Sequence, residues 1–242
     1  MRVLGAPELL DVWERGLGRP LAGRALALLA AAFPERSVEE LAELPIGRRD
    51  AHLLRLREQL FGPELTALAR CPSCGEQVES TFRGDQVRGA DDLAPEPTHA
   101  AEVAGYRASF RLPTTRDLLV LTDARTAREL LLARCVTEVR NSSNEAVIVE
   151  SLPDNVIAGI AARMAAADPQ AEIELELACP VCDHRWSAAF DIASFLWKEL
   201  HGWALQALRD VHSLARVYGW READVLALSP TRRQFYLELS RR

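Results

Sequence analysis

Four of the five cysteines in this 242-residue chain fall into two short turns of one kind, Cys71-Pro-Ser-Cys74 and Cys179-Pro-Val-Cys182. Two residues between thiols is the spacing at which one tight turn delivers two thiolates to adjacent corners of a tetrahedron. A single pair reads equally well as a redox dithiol. Two pairs, each with proline after the first cysteine, point to one structural Zn2+ held by Cys71, Cys74, Cys179 and Cys182. A catalytic zinc keeps one position open for water and usually draws on histidine or carboxylate ligands, and four cysteines leave no such position. His184, two residues after Cys182, reads as a strand-surface residue rather than a replacement ligand. Cys135 continues the apolar helical pattern Leu130, Leu131, Leu132, Ala133 and reads as a small buried hydrophobe. His52, His99, His201 and His212 show no metal or nucleophile spacing, and there is no Gly-rich phosphate loop or G-x-S-x-G elbow. No catalytic residue is assigned, and the expectation is a protein that is not an enzyme.

The elements that must position these sulfurs are short strands. Gln77 to Phe82 alternates after the first turn; Ile173, Leu175 and Leu177 alternate with Glu172, Glu174 and Glu176 before the second; His184 to Asp191 follows it with Trp186, Ala188 and Phe190. Closing a loop of about a hundred residues between the two turns costs on the order of 4 kcal/mol. Structural zinc contributes about 10 to 16 kcal/mol in apparent binding, so the intervening residues can fold as a subdomain mounted on the ribbon.

Helical patterns fill the rest. Pro7 to Leu17, Leu21 to Phe33 and Arg48 to Phe61 carry apolar stripes, the last stopped by Gly62-Pro63. Residues 83–100 are rich in Gly, Asp and Pro and read as a surface loop, and a hairpin is expected to turn at Ala104-Gly105. Thr114 with Asp117 three residues on is a helix start, with helices expected over Arg116 to Leu121 and Ala124 to Val139. Another follows Asp154 and stops at Asp168-Pro169. From Ile192 to Tyr218 apolar residues step by three and four toward a Gly219 cap, and Ser229-Pro230 opens a final helix. The expected fold is α+β, mostly helical with a small discontinuous zinc-ribbon β module built on the four cysteines. Its regions are an N-terminal helical stretch 1–68, a ribbon from 69–112 and 170–191, a helical insertion 113–169, and a C-terminal helical region 192–242.

The composition bounds the partners. A formal charge of -6 and a pI near 5.5 disfavour a protein built on the nucleic-acid backbone. No apolar run approaches the roughly 20 residues of a membrane span, and no signal-type segment opens the chain, which predicts a cytoplasmic protein. Asn141-Ser142-Ser143 and Arg83-Gly84-Asp85 read as chance matches to glycosylation and adhesion motifs. Trp197 and Trp203 beside His201 read as core or interface aromatics; Leu196, Trp203 and Tyr236 read first as core, and are also the residues to examine at an interface.

Leu44-Pro-Ile-Gly47-Arg-Arg49-Asp50-Ala-His-Leu-Leu54-Arg-Leu-Arg57, then Phe61-Gly62-Pro63-Glu64 and Cys71-Pro-Ser-Cys74-Gly75, resemble the baseplate hub assembly chaperone family of T4-like phages and phage-tail-like injection systems. Phe110-Arg111-Leu112-Pro113-Thr114-Thr115-Arg116-Asp117-Leu118 and the tail from Phe195 to Leu239 are similar to the injection-system branch. The extended helical C-terminus departs from the shorter phage chaperones. The resemblance implies a non-catalytic assembly chaperone or minor baseplate component in a bacterial producer cell, some of it carried into the particle. The partners implied are hub, spike or wedge proteins, with no nucleic acid and no membrane. Two other classes remain: a zinc-ribbon adaptor for nucleic acid or the transcription machinery, which the acidic charge opposes, and a zinc hydrolase or thiol oxidoreductase, which a metal-free low-pKa dithiol would favour.

Overall fold

The computed structural model describes residues 1–89, 98–121, 123 and 126–240. It is an α+β chain, 54% helical with small antiparallel sheets. It divides into two compact units, one from Met1–Glu35 with Ala193–Arg242 and one from Arg36–Ile192.

The first unit is all helical. α1 (Ala6–Gly16) and α2 (Leu21–Ala32) are joined by residues from the far end of the chain: α9 (Ile192–Tyr218), α10 (Glu222–Leu226) and α11 (Pro230–Leu239). Leu10 packs with Ala204, Ala207 and Leu226, flanked by Trp13 and Trp203. Gly16 lies so close to Trp197 that an added Cβ would fall 2.3 Å from the indole ring, and the Arg24 guanidinium covers the same ring at 4.7 Å. The Trp13 indole N–H donates to His201 Nδ1 at 2.9 Å, which fixes that nitrogen as an acceptor. Leu196 is fully buried, the core reading rather than the interface one; Trp203 and Tyr236 are half-buried against their own unit's clusters. Gly219 leaves α9 at φ 70°, as a C-cap glycine should, and the Ser229 hydroxyl accepts from the Arg232 N–H at 3.3 Å at the start of α11.

The second unit carries the sheets. α3 (Val38–Ala42) opens on a reciprocal cap between Ser37 and Glu40, and α4 (Ile46–Phe61) buries Leu53, Leu54 and Leu56. β1 (Glu64–Arg70) and β2 (Gln77–Arg83) form a hairpin, followed by α5 (Gly84–Val87). β3 (His99–Val103) and β4 (Tyr106–Phe110) turn through Ala104 and Gly105, both at positive φ, the geometry of a type I′ hairpin. α6 (Thr115–Leu119) and α7 (Ala127–Cys135) lead into β5 (Val136–Arg140), the third strand of that sheet. α8 (Asp154–Ala167) lies across it, and an added Cβ at Gly159 would come within 2.4 Å of Val103. Phe110, Leu132, Cys135, Val139, Val156 and Ile160 fill the core between sheet and helices. β6 (Ile173–Ala178) and β7 (Arg185–Phe190) close the unit as a second hairpin.

Three expectations change. The helix expected over Ala124 to Val139 ends at Cys135, because Val136-Thr-Glu-Val139 is rich in β-branched residues and pairs with β4; Ala124 itself lies outside the described residues. The loop expected over 83–100 holds α5 and the first residues of β3, with 90–97 outside the described residues. The Thr114 hydroxyl does not accept from the free amides of α6 but donates to Asp117 Oδ2 at 3.1 Å, while Asp117 returns the expected bond from the Thr114 N–H at 3.0 Å.

Candidate metal centre

Each cysteine pair sits at the tip of a hairpin, and the two tips repeat one another. In the first, the Cys71 N–H donates to the Glu76 carbonyl at 2.8 Å and the Gly75 N–H to the Cys71 carbonyl at 2.9 Å. In the second, the Cys179 N–H donates to the His184 carbonyl at 2.9 Å and the Asp183 N–H to the Cys179 carbonyl at 3.0 Å. Gly75 and Asp183 occupy the same place and share positive φ, 78° and 56°. Glycine takes that conformation freely, and aspartate is among the few other residues that tolerate it. The strands repeat too: Arg70 pairs with Gln77 as Ala178 pairs with Arg185, and Leu65 with Phe82 as Ile173 with Phe190. Phe82 and Phe190 meet edge to face, ring centroids 5.2 Å apart.

The repeat brings all four expected ligands together. Their sulfurs lie within 4.8 Å of one another, with Cys71 Sγ 3.7 Å from Cys182 Sγ and Cys74 Sγ 3.6 Å from Cys179 Sγ. A regular tetrahedron with metal–sulfur bonds of about 2.3 Å has sulfur–sulfur edges of about 3.8 Å. A disulfide would need about 2.05 Å. The donor set therefore fits a four-coordinate, thiophilic ion, the class that includes zinc and iron. In each pair the first cysteine is buried and the second exposed, and Val78 and Trp186 pack beside the buried sulfurs. His184 stacks on Trp186 at 6.0 Å and lies outside the sulfur cluster.

Without an ion the two thiols of the first turn move apart. Burial pushes the Cys71 thiol up, but the Cys74 and Ser73 N–H groups and the neighbouring thiols outweigh it and bring it down to about 7. Cys74 moves the other way: the Glu76 N–H favours its thiolate, and the crowding of Cys182, Cys179 and Cys71 carries it up to about 12. Four sulfurs this close cannot all ionise until a cation neutralises them. Cys135 stands apart, fully buried, its thiol raised to about 11 by burial.

The family model described as T4 bacteriophage base plate protein matches residues 26–197. The chain belongs to that family. No curated protein and no solved structure matches it.

The base plate match spans both hairpins and everything between them, and it includes four polar nodes, of which sequence reasoning gave a bonding role only to Asp117, as a helix-start acid. Asp117, wholly buried, receives Arg111 in a two-pronged pair at 2.6 and 2.8 Å and the Arg134 Nε–H at 2.9 Å. Burial alone would raise its carboxyl; Arg111, the Thr114 N–H and Arg134 hold it well below the usual carboxylate range. Arg57, buried on α4, donates to the carbonyls of Gly62 at 2.8 Å and Glu64 at 2.5 Å, tying the helix end to β1. Asp168 accepts from the Gly47 N–H at 2.9 Å, and a Cβ at Gly47 would fall 1.9 Å from Asp168 Oδ1. Arg49 and Asp50 pair with each other in the interior at 2.7 Å. The recognised segments around Gly47, Arg57 and Asp117 thus hold the scaffold that carries the hairpins. Only partners distant in sequence, such as Arg134 and Asp168, reveal it.

Proposed function

We propose that this protein is a non-catalytic assembly chaperone or minor structural component of the baseplate of a contractile phage-tail-like particle. A structural zinc completes its fold, and it works in the cytoplasm of the producing cell before or during incorporation. The base plate family match, which runs through the whole four-cysteine unit, carries the reading. The sulfur geometry supports it: a closed four-thiolate set offers an ion no open position, so the ion serves the fold rather than a reaction. The partners are hub, spike or wedge proteins of the same particle.

The test is to tag the protein in a producing cell and separate sheathed particles from soluble extract on a gradient. Recovery in particles at fixed stoichiometry identifies a baseplate component. Recovery only with soluble hub or spike proteins identifies a chaperone, and recovery with neither overturns the reading.

A further inference from the structure

The four-cysteine centre holds two kinds of sulfur, one of each in each turn. Cys74 and Cys182 are exposed, as are their neighbours Pro72 and Ser73 in the first turn and Pro180 and Val181 in the second. Cys71 and Cys179 are buried beside Val78 and Trp186. The short sulfur contacts run from one hairpin to the other and from one kind to the other: exposed Cys182 Sγ lies 3.7 Å from buried Cys71 Sγ, and exposed Cys74 Sγ 3.6 Å from buried Cys179 Sγ. These two contacts share no sulfur, so both can become bonds in the same chain.

A disulfide needs sulfurs about 2.05 Å apart, so each contact has to shorten by about 1.6 Å, or about 0.8 Å for each sulfur. Metal ligation keeps the sulfurs as thiolates, the form that an oxidant attacks, and among thiolates exposure decides which reacts first. Cys74 and Cys182 meet both conditions, and each has a buried sulfur of the opposite hairpin beside it to resolve the oxidised product. Cys135 takes no part, being fully buried in the core between the three-stranded sheet and its helices.

We propose that the centre is a redox-exchangeable joint: oxidants of the peroxide class replace the metal with two disulfides that cross between the hairpins, Cys71–Cys182 and Cys74–Cys179, and a dithiol reductant with Zn2+ restores the metal-bound form. This rests on the structural-zinc reading above and adds its regulation. Cys74 and Cys182 each attack a peroxide oxygen, forming a sulfenic acid and expelling hydroxide, which takes up a proton as water. Cys179 and Cys71 then attack those oxidised sulfurs and displace the second oxygen, which also leaves as water. In all, the four thiolates pass four electrons to two peroxide molecules, solvent supplies four protons, four waters form, and Zn2+ is released at unchanged valence. Bonds within a turn, Cys71–Cys74 or Cys179–Cys182, would leave the hairpins without a covalent tie. Crossed bonds keep the joint closed after the metal has gone.

The test adds hydrogen peroxide stepwise to full-length, zinc-loaded protein, follows Zn2+ release with a chelating dye, and maps disulfides in non-reduced peptides by mass spectrometry. The expected result is loss of the bound Zn2+ in step with appearance of Cys71–Cys182 and Cys74–Cys179, with Cys135 still reduced. The oxidised protein should keep its circular dichroism and have a melting temperature that a chelator no longer lowers, and dithiothreitol with Zn2+ should reverse both changes. Bonds within the turns, a bond to Cys135, sulfinic acids in place of disulfides, or unfolding as Zn2+ departs overturns the proposal. Zn2+ retained under peroxide overturns the exchange and leaves the zinc reading intact, whereas protein that binds no Zn2+ before oxidation removes the zinc reading and the proposal with it.

Discussion

At the scale of single residues, two buried aspartates in the same unit give opposite responses to pH. Asp117 is held ionised by Arg111, Arg134 and the Thr114 N–H. Its folded pKa lies below its unfolded value near 3.9, so its contribution is complete above about pH 4 and fades as pH falls further. Asp117→Asn leaves two arginines facing a neutral group and is expected to cost about 3 to 5 kcal/mol, measured by denaturant unfolding at pH 7. Asp50 runs the other way. Burial raises it to about 6 against the pull of Arg49, so its contribution is complete below about pH 4 and is lost as pH rises through 6. In wild type, stability should therefore decline between about pH 4 and 6 by up to about 3 kcal/mol from this group, and Asp50→Asn should abolish that slope. Gly47→Ala places a methyl group against Asp168 and should destabilise by about 1 to 3 kcal/mol in the same unfolding assay.

At the scale of elements, the two knuckles depend on each other for a complete donor set. Cys179→Ser removes one of four sulfurs, and the expected outcome is loss of bound metal by elemental analysis together with release of β6 and β7 to rapid amide exchange. The helices of the first unit, with none of these ligands, should keep their protection. How much of this was legible in sequence depended on the range of the signal. The cysteine pairs, the alternation of Ile173 to Leu177, the Ala104-Gly105 turn and the stripe of α9 are local patterns, and the structure realises each one. β1 escaped because Glu64 to Arg70 alternates only weakly before its partner strand is in place. β5 escaped because Leu130 to Cys135 continues a helical pattern into it, and only pairing with β4 settles where helix gives way to strand. The short α3 and α10 are single capped turns with too few residues to show a period. The arginine partners of Asp117 and the Gly47 contact of Asp168 were invisible for a different reason: contacts between segments distant in the chain leave no local spacing.

At the scale of the whole molecule, one ion per chain is expected from metal analysis of purified protein, zinc rather than iron on the reading proposed above. A strong chelator should lower the melting temperature, and re-addition of Zn2+ should restore it, as for any ion bound to the folded state alone. Freely reactive thiols with no metal would remove the centre and leave the family assignment standing, since that rests on residues 26–197 as a whole.

The two hairpins belong to separate sheets, and no strand of one hydrogen-bonds to a strand of the other. The Phe82–Phe190 contact, the packing of Val78 and Trp186 beside the buried cysteines and the four facing sulfurs join them. With a metal bound, a pull that parts the hairpins is carried not by a ladder of weak bonds failing one after another but by metal–thiolate bonds at a single point. The joint would then be stiff and brittle under tension, holding its shape up to one rupture force and opening all at once beyond it. Such a joint passes a load from one hairpin to the other without creeping.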